Sequence, residues 1–263
     1  VCATETLLDF LRLSRQLIGT KEGCCEGDCG ACTVLVGSLI AGELEYKSVN
    51  SCICLLPSVN TSHVITVEGL KSLDNRLHPV QSAMISNNGS QCGFCTPGIV
   101  MSLYDLWLKP AVLTDKNIEK ALQGNLCRCT GYGSIISAAK SIDNFGNSRS
   151  DGLIRNRETM KNNLQNLYQK KDLIGTVDQS KYIIPRTTDS FSQLYLDNPN
   201  ATIVAGATDV ALWITKDLSS IGSIIFISNI EDLQNVEELP HCFIVGTCVT
   251  YTKFEPVLLN YYP

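Results

Sequence analysis

The chain has 263 residues, which is enough for two or three small domains. Its hydrophobic content of 44%, its charged content of 18% and its formal net charge of −5 are ordinary for a globular protein and exclude the strongly basic surface of a nucleic-acid-binding domain. The sequence shows neither an apolar run long enough to span a bilayer nor a signal peptide, so we expect no membrane partner.

Thirteen cysteines are the unusual feature of the composition. All but two of them lie before residue 130, and most stand in short clusters. A chain of this size does not need a disulfide framework, and clustered thiols without an export signal favour a reducing, cytoplasmic location and metal ligation. We therefore expect the chemistry in the N-terminal half of the chain.

The first predicted elements form an α+β unit. Apolar residues at helical spacing follow Thr4, the expected N-cap, and predict a helix. After a loop rich in cysteine and glycine, residues 32–52 predict two strands around a turn near Gly37 or Gly42. The segment HVITVEGL, residues 63–70, predicts a further strand.

The pattern changes to helices in the middle of the chain. Residues 79–142 contain four helical segments, with Pro97 in a first turn and Thr114 as a cap. Residues 146–181 are polar and predict a linker with one or two helical turns. From Tyr182 onward, apolar strands around turn residues resume.

The spacing of the first cysteine cluster is typical of an iron–sulfur site. Cys24, Cys29 and Cys32 form a C-x4-C-x2-C pattern, and Cys52 can supply a distant fourth thiolate, as in plant-type 2Fe–2S sites. Glycines in the loop allow positive φ and close approach of backbone amides to the sulfurs. They are Gly23, Gly27 and Gly30. A structural zinc site is the alternative, although zinc favours paired thiols with short gaps.

Two neighbouring cysteines compete with this assignment. Cys25 follows Cys24 directly, and adjacent residues do not easily face one iron, so the four-residue gap favours Cys24. Cys54 competes with Cys52, because residues two apart on a strand face the same side. Spacing by itself leaves this second choice open.

A second cysteine set combines a C-x2-C pair with a C-x-C pair. Cys92 and Cys95 stand before one predicted helix, and Cys127 and Cys129 stand before another. The N-terminus of a helix favours anions, so we expect it to lower the pKa of Cys95 and Cys129 and to suit them as thiolate ligands. The spacing is compatible with iron–sulfur or with zinc.

Four motifs carry a family resemblance: GTKEGCCEGDCGACTV, VNSC, QCGFCTPG and GNLCRCTGY. In this order they resemble the xanthine dehydrogenase and aldehyde oxidase family of molybdenum hydroxylases. The resemblance implies a ferredoxin-like (β-grasp) domain with one 2Fe–2S cluster over residues 1–76. It implies a four-helix domain with a second 2Fe–2S cluster over 77–145. It favours Cys52 over Cys54 as the fourth ligand. The chain departs from the family pattern in two ways. Cys25 stands where the family usually has a small residue, and the family's first β-hairpin is mostly missing.

Beyond the linker, residues 182–263 resemble the start of the family's α+β FAD-binding domain. The stretch IVAGATDV matches the loop that wraps the FAD pyrophosphate in that family. A strand running into a glycine turn can present amides and a hydroxyl to phosphate, although such a turn is also common without a ligand. The resemblance implies these flavin contacts: Ile203, Val204, Ala205, Gly206, Ala207, Thr208, Asp209 and Val210.

The resemblance implies an electron-transfer subunit that has no catalytic residues of its own. It would pass electrons from a molybdenum cofactor through two 2Fe–2S clusters to FAD and then NAD, in an enzyme that converts xanthine to urate. The molybdopterin would belong to a large partner subunit. Gln91 would form a hydrogen bond with the pterin, and Cys129 would be the cluster ligand nearest to it. The alternatives are the same role in an aldehyde or N-heterocycle oxidoreductase, or a separate ferredoxin-like carrier.

Overall fold

The computed structural model of the protein describes residues 2–71, 76–110, 112–168, 171–177 and 180–262. These residues form two compact units. The N-terminal unit comprises residues 5–55 and 59–168, and the C-terminal unit comprises the rest, chiefly from 171 onward. Parts of all four predicted regions lie outside the described residues. They are residues 1 and 72–75 of the first domain, 111 of the four-helix domain, 169–170 and 178–179 of the linker, and 263 of the flavin domain.

The N-terminal unit mixes one small sheet with helices. Its strands are β1 (Thr33–Ile40), β2 (Glu43–Asn50) and β3 (His63–Ile65). Its helices are α1 (Leu7–Asp9), α2 (Pro79–Ser86), α3 (Thr96–Leu108), α4 (Asp115–Leu122), α5 (Gly133–Lys140), α6 (Gly152–Arg155) and α7 (Arg157–Leu167).

The first helix begins later than predicted. Thr6, not Thr4, is the N-cap of α1, and its hydroxyl accepts a 3.0 Å hydrogen bond from the Asp9 amide. A π-helical turn over Phe10–Ser14 continues α1, and Gln16 with φ +57° ends it. Thr6 also pairs with Leu55 in an isolated β-bridge, which holds it at the start of the helix. The spacing of neighbouring residues cannot predict a pairing between residues so far apart in the chain.

The sheet has the strand order β2-β1-β3, and both neighbours are antiparallel to β1. The β1–β2 turn lies at Ala41 and Gly42, which both have positive φ, so the turn predicted at Gly42 is confirmed and the one at Gly37 is wrong. Strand β3 stops at Ile65 and a 3₁₀ turn follows, so the predicted strand over 63–70 is too long.

The four helices predicted over 79–142 are confirmed as α2 to α5. Pro97 lies in the first turn of α3, and the Thr114 hydroxyl caps α4. Their apolar faces surround one core that also takes in Leu35 of β1. The sheet and the helices therefore share buried side chains within one unit.

The segment predicted as a linker contains regular structure. Helices α6 and α7 and a strand, Leu173–Val177, lie within it. Helix α7 contacts β1 and β2, and Leu164 is its buried residue. Arg157 donates to the Leu44 carbonyl, and Lys161 Nζ lies 2.6 Å from Glu43 Oε1. The sequence predicted only one or two helical turns here, because α7 buries little apolar surface and its polar partners lie far earlier in the chain.

The C-terminal unit contains a four-stranded sheet in the order β4-β5-β7-β6 and a separate hairpin of β8 and β9. The strands are β4 (Leu173–Val177), β5 (Ser180–Ile184), β6 (Thr202–Val204), β7 (Ile224–Phe226), β8 (Val236–Leu239) and β9 (Cys242–Val245). The helices are α8 (Thr188–Asp197), α9 (Val210–Thr215) and α10 (Tyr251–Leu259). Strands β5, β7 and β6 run parallel. Within the described residues, we find no helix with the length and hydropathy of a membrane span.

Candidate functional site

The first cysteine set converges from a loop and a turn. Cys24, Cys29 and Cys32 lie in the loop before β1, and Cys52 lies in the 3₁₀ turn after β2 rather than on a strand. The antiparallel register places Thr33 opposite Asn50, which brings the residues beside these strand ends together. Cys32 and Cys52 are both about 1% exposed and share a hydrogen bond between their sulfurs.

Backbone amides point at the sulfurs, as the sequence predicted. The Cys29 amide donates to Cys24 Sγ over 3.4 Å. Burial raises the pKa of Cys24, but backbone hydrogen bonds from Cys29 and Glu26 outweigh it and hold that pKa below its usual value. The hydrogen bond from Cys52 lowers the pKa of Cys32 to about 7. Within each pair, one thiol is therefore stabilised as the thiolate, the form that binds iron. The pKa of the other thiol is higher than usual: burial raises that of Cys29, and the hydrogen bond that Cys52 donates to Cys32 raises that of Cys52.

The competing cysteines are also near this set. Cys25 is half-buried with φ +57°, and its thiol lies 3.4 Å from Glu22 Oε1. Burial and the nearby Cys32 raise the pKa of Cys54 to about 12, which favours its neutral thiol.

The second set is assembled from the segments before α3 and α5. Cys92 and Cys129 are exposed with their sulfurs 3.6 Å apart, while Cys95 shares a hydrogen bond with the buried Cys127. Cys95 is the N-cap of α3, whereas Tyr132 takes that position for α5, so Cys129 does not lie at a helix start.

The pKa effect predicted from the helix ends is wrong. Burial and the hydrogen bond that Cys95 donates to Cys127 raise the pKa of Cys95 to about 12, and the hydrogen bond that Cys129 donates to Cys92 raises that of Cys129. In this set it is the pKa of Cys127 that is lowered. Burial acts to raise it, but hydrogen bonds from the Thr130 hydroxyl and from backbone amides outweigh burial. Hydrogen bonds within this thiol set, rather than the helix N-termini, therefore decide which of its thiols is the strongest acid.

Both donor sets fit a two-iron cluster. Across the described residues, no three His, Cys, Asp or Glu side chains converge as ligands to a single metal ion. The thiols meet instead as pairs, Cys24 with Cys29 and Cys32 with Cys52 in the first set. A 2Fe–2S cluster takes four thiolates, shared between its two irons, so a paired arrangement suits it.

The two sets are joined by a short backbone connection. The Leu126 amide donates to the Cys29 carbonyl over 2.9 Å, and Leu126 directly precedes Cys127. Gly98 at the start of α3 lies against Gly30 so closely that an added Cβ would be 2.0 Å from the Gly30 oxygen. The loop of the first set and the segment of the second are therefore in direct contact.

Sequence reasoning missed the polar residues that hold these loops. The Tyr132 hydroxyl accepts from the Cys127 amide at 2.8 Å and donates to the Asn125 carbonyl at 3.3 Å. Asn125 is 3% exposed and bonds to the first loop. Both lie in the motif GNLCRCTGY, but a single sequence does not reveal which partners such side chains reach. Gln91, the predicted pterin contact, is exposed beside Cys92.

The predicted flavin residues, 203–210, run from β6 through a turn into α9. Ala207 is 5% exposed with φ +62°, and its carbonyl accepts from the Ala211 amide at 2.8 Å. A Cβ added to Gly206 would meet no atom within 4 Å, so this part of the turn faces open space. A turn of this kind can receive a ligand without displacing other protein atoms.

Comparisons with known proteins show the family. A family model described as the [2Fe-2S] binding domain matches residues 66–140, and one described as the FAD binding domain in molybdopterin dehydrogenase matches 177–263. The xanthine dehydrogenase of Drosophila subobscura is 31% identical over 290 residues, which cover 96% of this chain and 22% of that protein. The chain belongs to the xanthine dehydrogenase and aldehyde oxidase family.

It contains the iron–sulfur and FAD-binding region of this family, and it spans about a fifth of the length of such relatives. The xanthine dehydrogenase of Blastobotrys adeninivorans is 50% identical over 161 residues, covering 60% of this chain and 11% of that protein. Aldehyde oxidase 3 of Mus musculus is 32% identical over 290 residues, covering 96% and 22%. The α+β fold class with a 2Fe–2S-binding domain before an FAD-binding domain is thus confirmed.

Proposed function

We propose that this chain is the electron-relay part of a xanthine dehydrogenase. The observation that carries the proposal is the direct contact between the two thiol sets, through the hydrogen bond from Leu126 to Cys29. When bound, 2Fe–2S clusters supply one-electron carriers and FAD supplies the exchange between one-electron and two-electron steps. The chain's own task is to hold these groups in order and to tune them.

We assign eight cysteines as the cluster ligands. The first four are Cys24, Cys29, Cys32 and Cys52, and the second four are Cys92, Cys95, Cys127 and Cys129. Their pairing in the structure and the amides directed at Cys24 support the assignment. We assign residues 203–210 to the flavin pyrophosphate on the strength of the open turn at Gly206.

We further propose that electrons enter at the second set. Cys92 and Cys129 are exposed, whereas Cys32 and Cys52 of the first set are buried. The exposed pair, with Gln91 beside it, forms a face on which a molybdopterin-binding part of the enzyme can dock. NAD would then be the final acceptor on the flavin side.

Xanthine is the favoured substrate class for the complete enzyme. The 50% identity to a xanthine dehydrogenase over 161 residues supports it. The mouse aldehyde oxidase, at 32% over nearly the whole chain, supports an aldehyde as the second candidate. Assaying the complete enzyme with xanthine and with an aldehyde, each with NAD, separates the two.

The ligand assignment is tested by metal analysis. Eight thiolates should hold about four irons and four sulfides per chain, and dithionite should produce two distinct paramagnetic signals. Cys24→Ser and Cys52→Ser should each lose the first signal and keep the second. Cys25→Ser and Cys54→Ser are the matched controls and should keep both.

Zinc at either site, or a single iron–sulfur signal in the wild-type protein, would contradict the assignment of two clusters. Loss of the first signal in Cys54→Ser, with retention in Cys52→Ser, would show that the ligands at that turn are exchanged.

A further inference from the structure

Asn125 lies at the junction of the two thiol sets. It follows α4, where its amide donates to the Leu122 carbonyl at 2.9 Å, and it stands two residues before Cys127. Its side chain is about 97% buried. A polar side chain at such a position is stable when its hydrogen-bonding groups are satisfied.

The side-chain amide of Asn125 forms hydrogen bonds with three different segments. Its Nδ2 donates to the Gly30 carbonyl at 3.0 Å and to Thr33 Oγ1 at 3.3 Å, and its Oδ1 accepts from Ser102 Oγ at 2.6 Å. These partners belong to the loop of the first set, to β1 and to α3. Two donors and an acceptor on one short side chain are what this junction requires, and asparagine supplies them.

The partners of Asn125 act directly on the ligand loop. Gly30 lies between Cys29 and Cys32, and its carbonyl also accepts from the Thr33 hydroxyl at 2.7 Å. One residue beyond Asn125, the Leu126 amide donates to the Cys29 carbonyl. A shift of the Asn125 side chain would therefore move both thiol sets relative to each other.

We propose that Asn125 is a positioning residue that fixes the separation of the two cluster sites. The inference rests on the proposed function, because it takes the two thiol sets as cluster ligands. Aspartate at this position would present an acceptor to the Gly30 carbonyl, and alanine would leave the Ser102 hydroxyl and the Gly30 carbonyl without this partner. Neither change touches a cysteine.

The test compares Asn125→Ala and Asn125→Asp with Asn87→Ala. Asn87 is a matched control, because its Nδ2 also donates two hydrogen bonds, to the Ala83 carbonyl and to Ser141 Oγ, each at 2.9 Å. Those bonds join α2 to the end of α5 and do not reach the first loop. All proteins are the full chain, reduced with dithionite and examined by low-temperature EPR.

Two reduced clusters held at a fixed short distance split each other's signals. We expect this splitting in the wild type and in Asn87→Ala, and its loss in both Asn125 variants with iron content unchanged. Hydrogen exchange at the Leu126 amide is a second measurement that does not need metal. It should become about tenfold faster in the Asn125 variants, as expected for a weakened hydrogen bond, and stay unchanged in Asn87→Ala.

Unchanged exchange at Leu126 in both Asn125 variants would overturn the inference, as would a preserved splitting in variants that retain full iron. A wild-type protein without two iron–sulfur signals would instead refute the proposed function. The exchange measurement on Leu126 would still decide whether Asn125 positions the loops.

Discussion

The conformation of Cys25 shows how one residue can lie in a strained position beside a candidate ligand. A non-glycine residue with φ +57° is in the left-handed region, which costs roughly 1–2 kcal/mol in an L-residue. Cys25 has no assigned ligand role, so nothing in the proposed cluster site requires its thiol.

Cys25→Gly should therefore raise the unfolding free energy by about 1 kcal/mol and leave the iron content unchanged. Chemical denaturation of the variant and the wild type measures this. Cys54→Gly is the control, because Cys54 has φ −97° and glycine there should lower stability. A drop in stability or in iron for Cys25→Gly would contradict the expected relief of strain.

Asp151 is a second residue whose role emerges from its contacts. Its carboxylate lies 3.0 Å from His78 Nε2 and accepts from the Tyr104 hydroxyl at 2.9 Å and the Leu153 amide at 2.8 Å. Burial raises its pKa, but the hydrogen bonds from His78, Leu153 and Tyr104 outweigh burial and hold that pKa below its usual value.

Since the pKa of Asp151 is lower in the folded state than the unfolded value of about 3.9, its contribution is complete above that pH. The contribution is lost as pH falls through the folded pKa. Asp151→Asn should lower the unfolding free energy by roughly 1–3 kcal/mol at pH 7, and the gap should close below about pH 4. Glu238→Gln, at an exposed carboxylate on β8, should have little effect at either pH. A gap that persists at low pH would contradict this linkage.

At the scale of elements, the first turn of α3 must approach the loop of the first thiol set. Gly98 permits this, because a Cβ there would lie 2.0 Å from the Gly30 carbonyl oxygen. Overpacking costs roughly 1–3 kcal/mol, and the gain in helix propensity from glycine to alanine is about 1 kcal/mol. The steric cost is larger because the atom that blocks the methyl group belongs to the backbone.

Gly98→Ala should thus lower the thermal midpoint of the protein. Gly133→Ala, in the first turn of α5, is the matched control, since a Cβ there would meet no atom within 4 Å. That control should keep or raise the midpoint. Equal midpoints for the two variants would show that the close approach of α3 to the loop does not contribute to stability.

At the scale of the whole molecule, the candidate metal ligands and the candidate flavin turn lie in different compact units. We therefore expect the two kinds of cofactor to be lost independently. Gly206→Val adds bulk where the turn faces open space, so it should lower the flavin content and leave the iron content unchanged. Cys24→Ser should lower iron and keep flavin.

Flavin absorbance and iron analysis of the same preparations measure both effects. A parallel loss of iron and flavin in Gly206→Val would contradict the independence of the two units. It would show that the substitution disturbs the folding of the whole chain and not the flavin turn alone.

The sequence by itself determined the features that depend on neighbours along the chain. The spacing of Cys24, Cys29 and Cys32 predicted a loop of converging thiols, and helical periodicity with Pro97 and Thr114 predicted α2 to α5. Such patterns are readable because a helix or a short ligand loop is built from residues a few positions apart.

The tertiary structure decided the contacts between distant residues. Asn125 and Gly30 are 95 residues apart, Asp151 and His78 are 73 apart, and Lys161 and Glu43 are 118 apart. Polar side chains of these types are compatible with loop, cap or surface positions, so one sequence does not reveal their partners. Packing around the shared core, which Leu153 of α6 joins, brings the elements of the N-terminal unit together and fixes the two thiol sets side by side. The polar contacts of Arg157 and Lys161 with residues of the sheet then add α7, within a segment predicted as a linker.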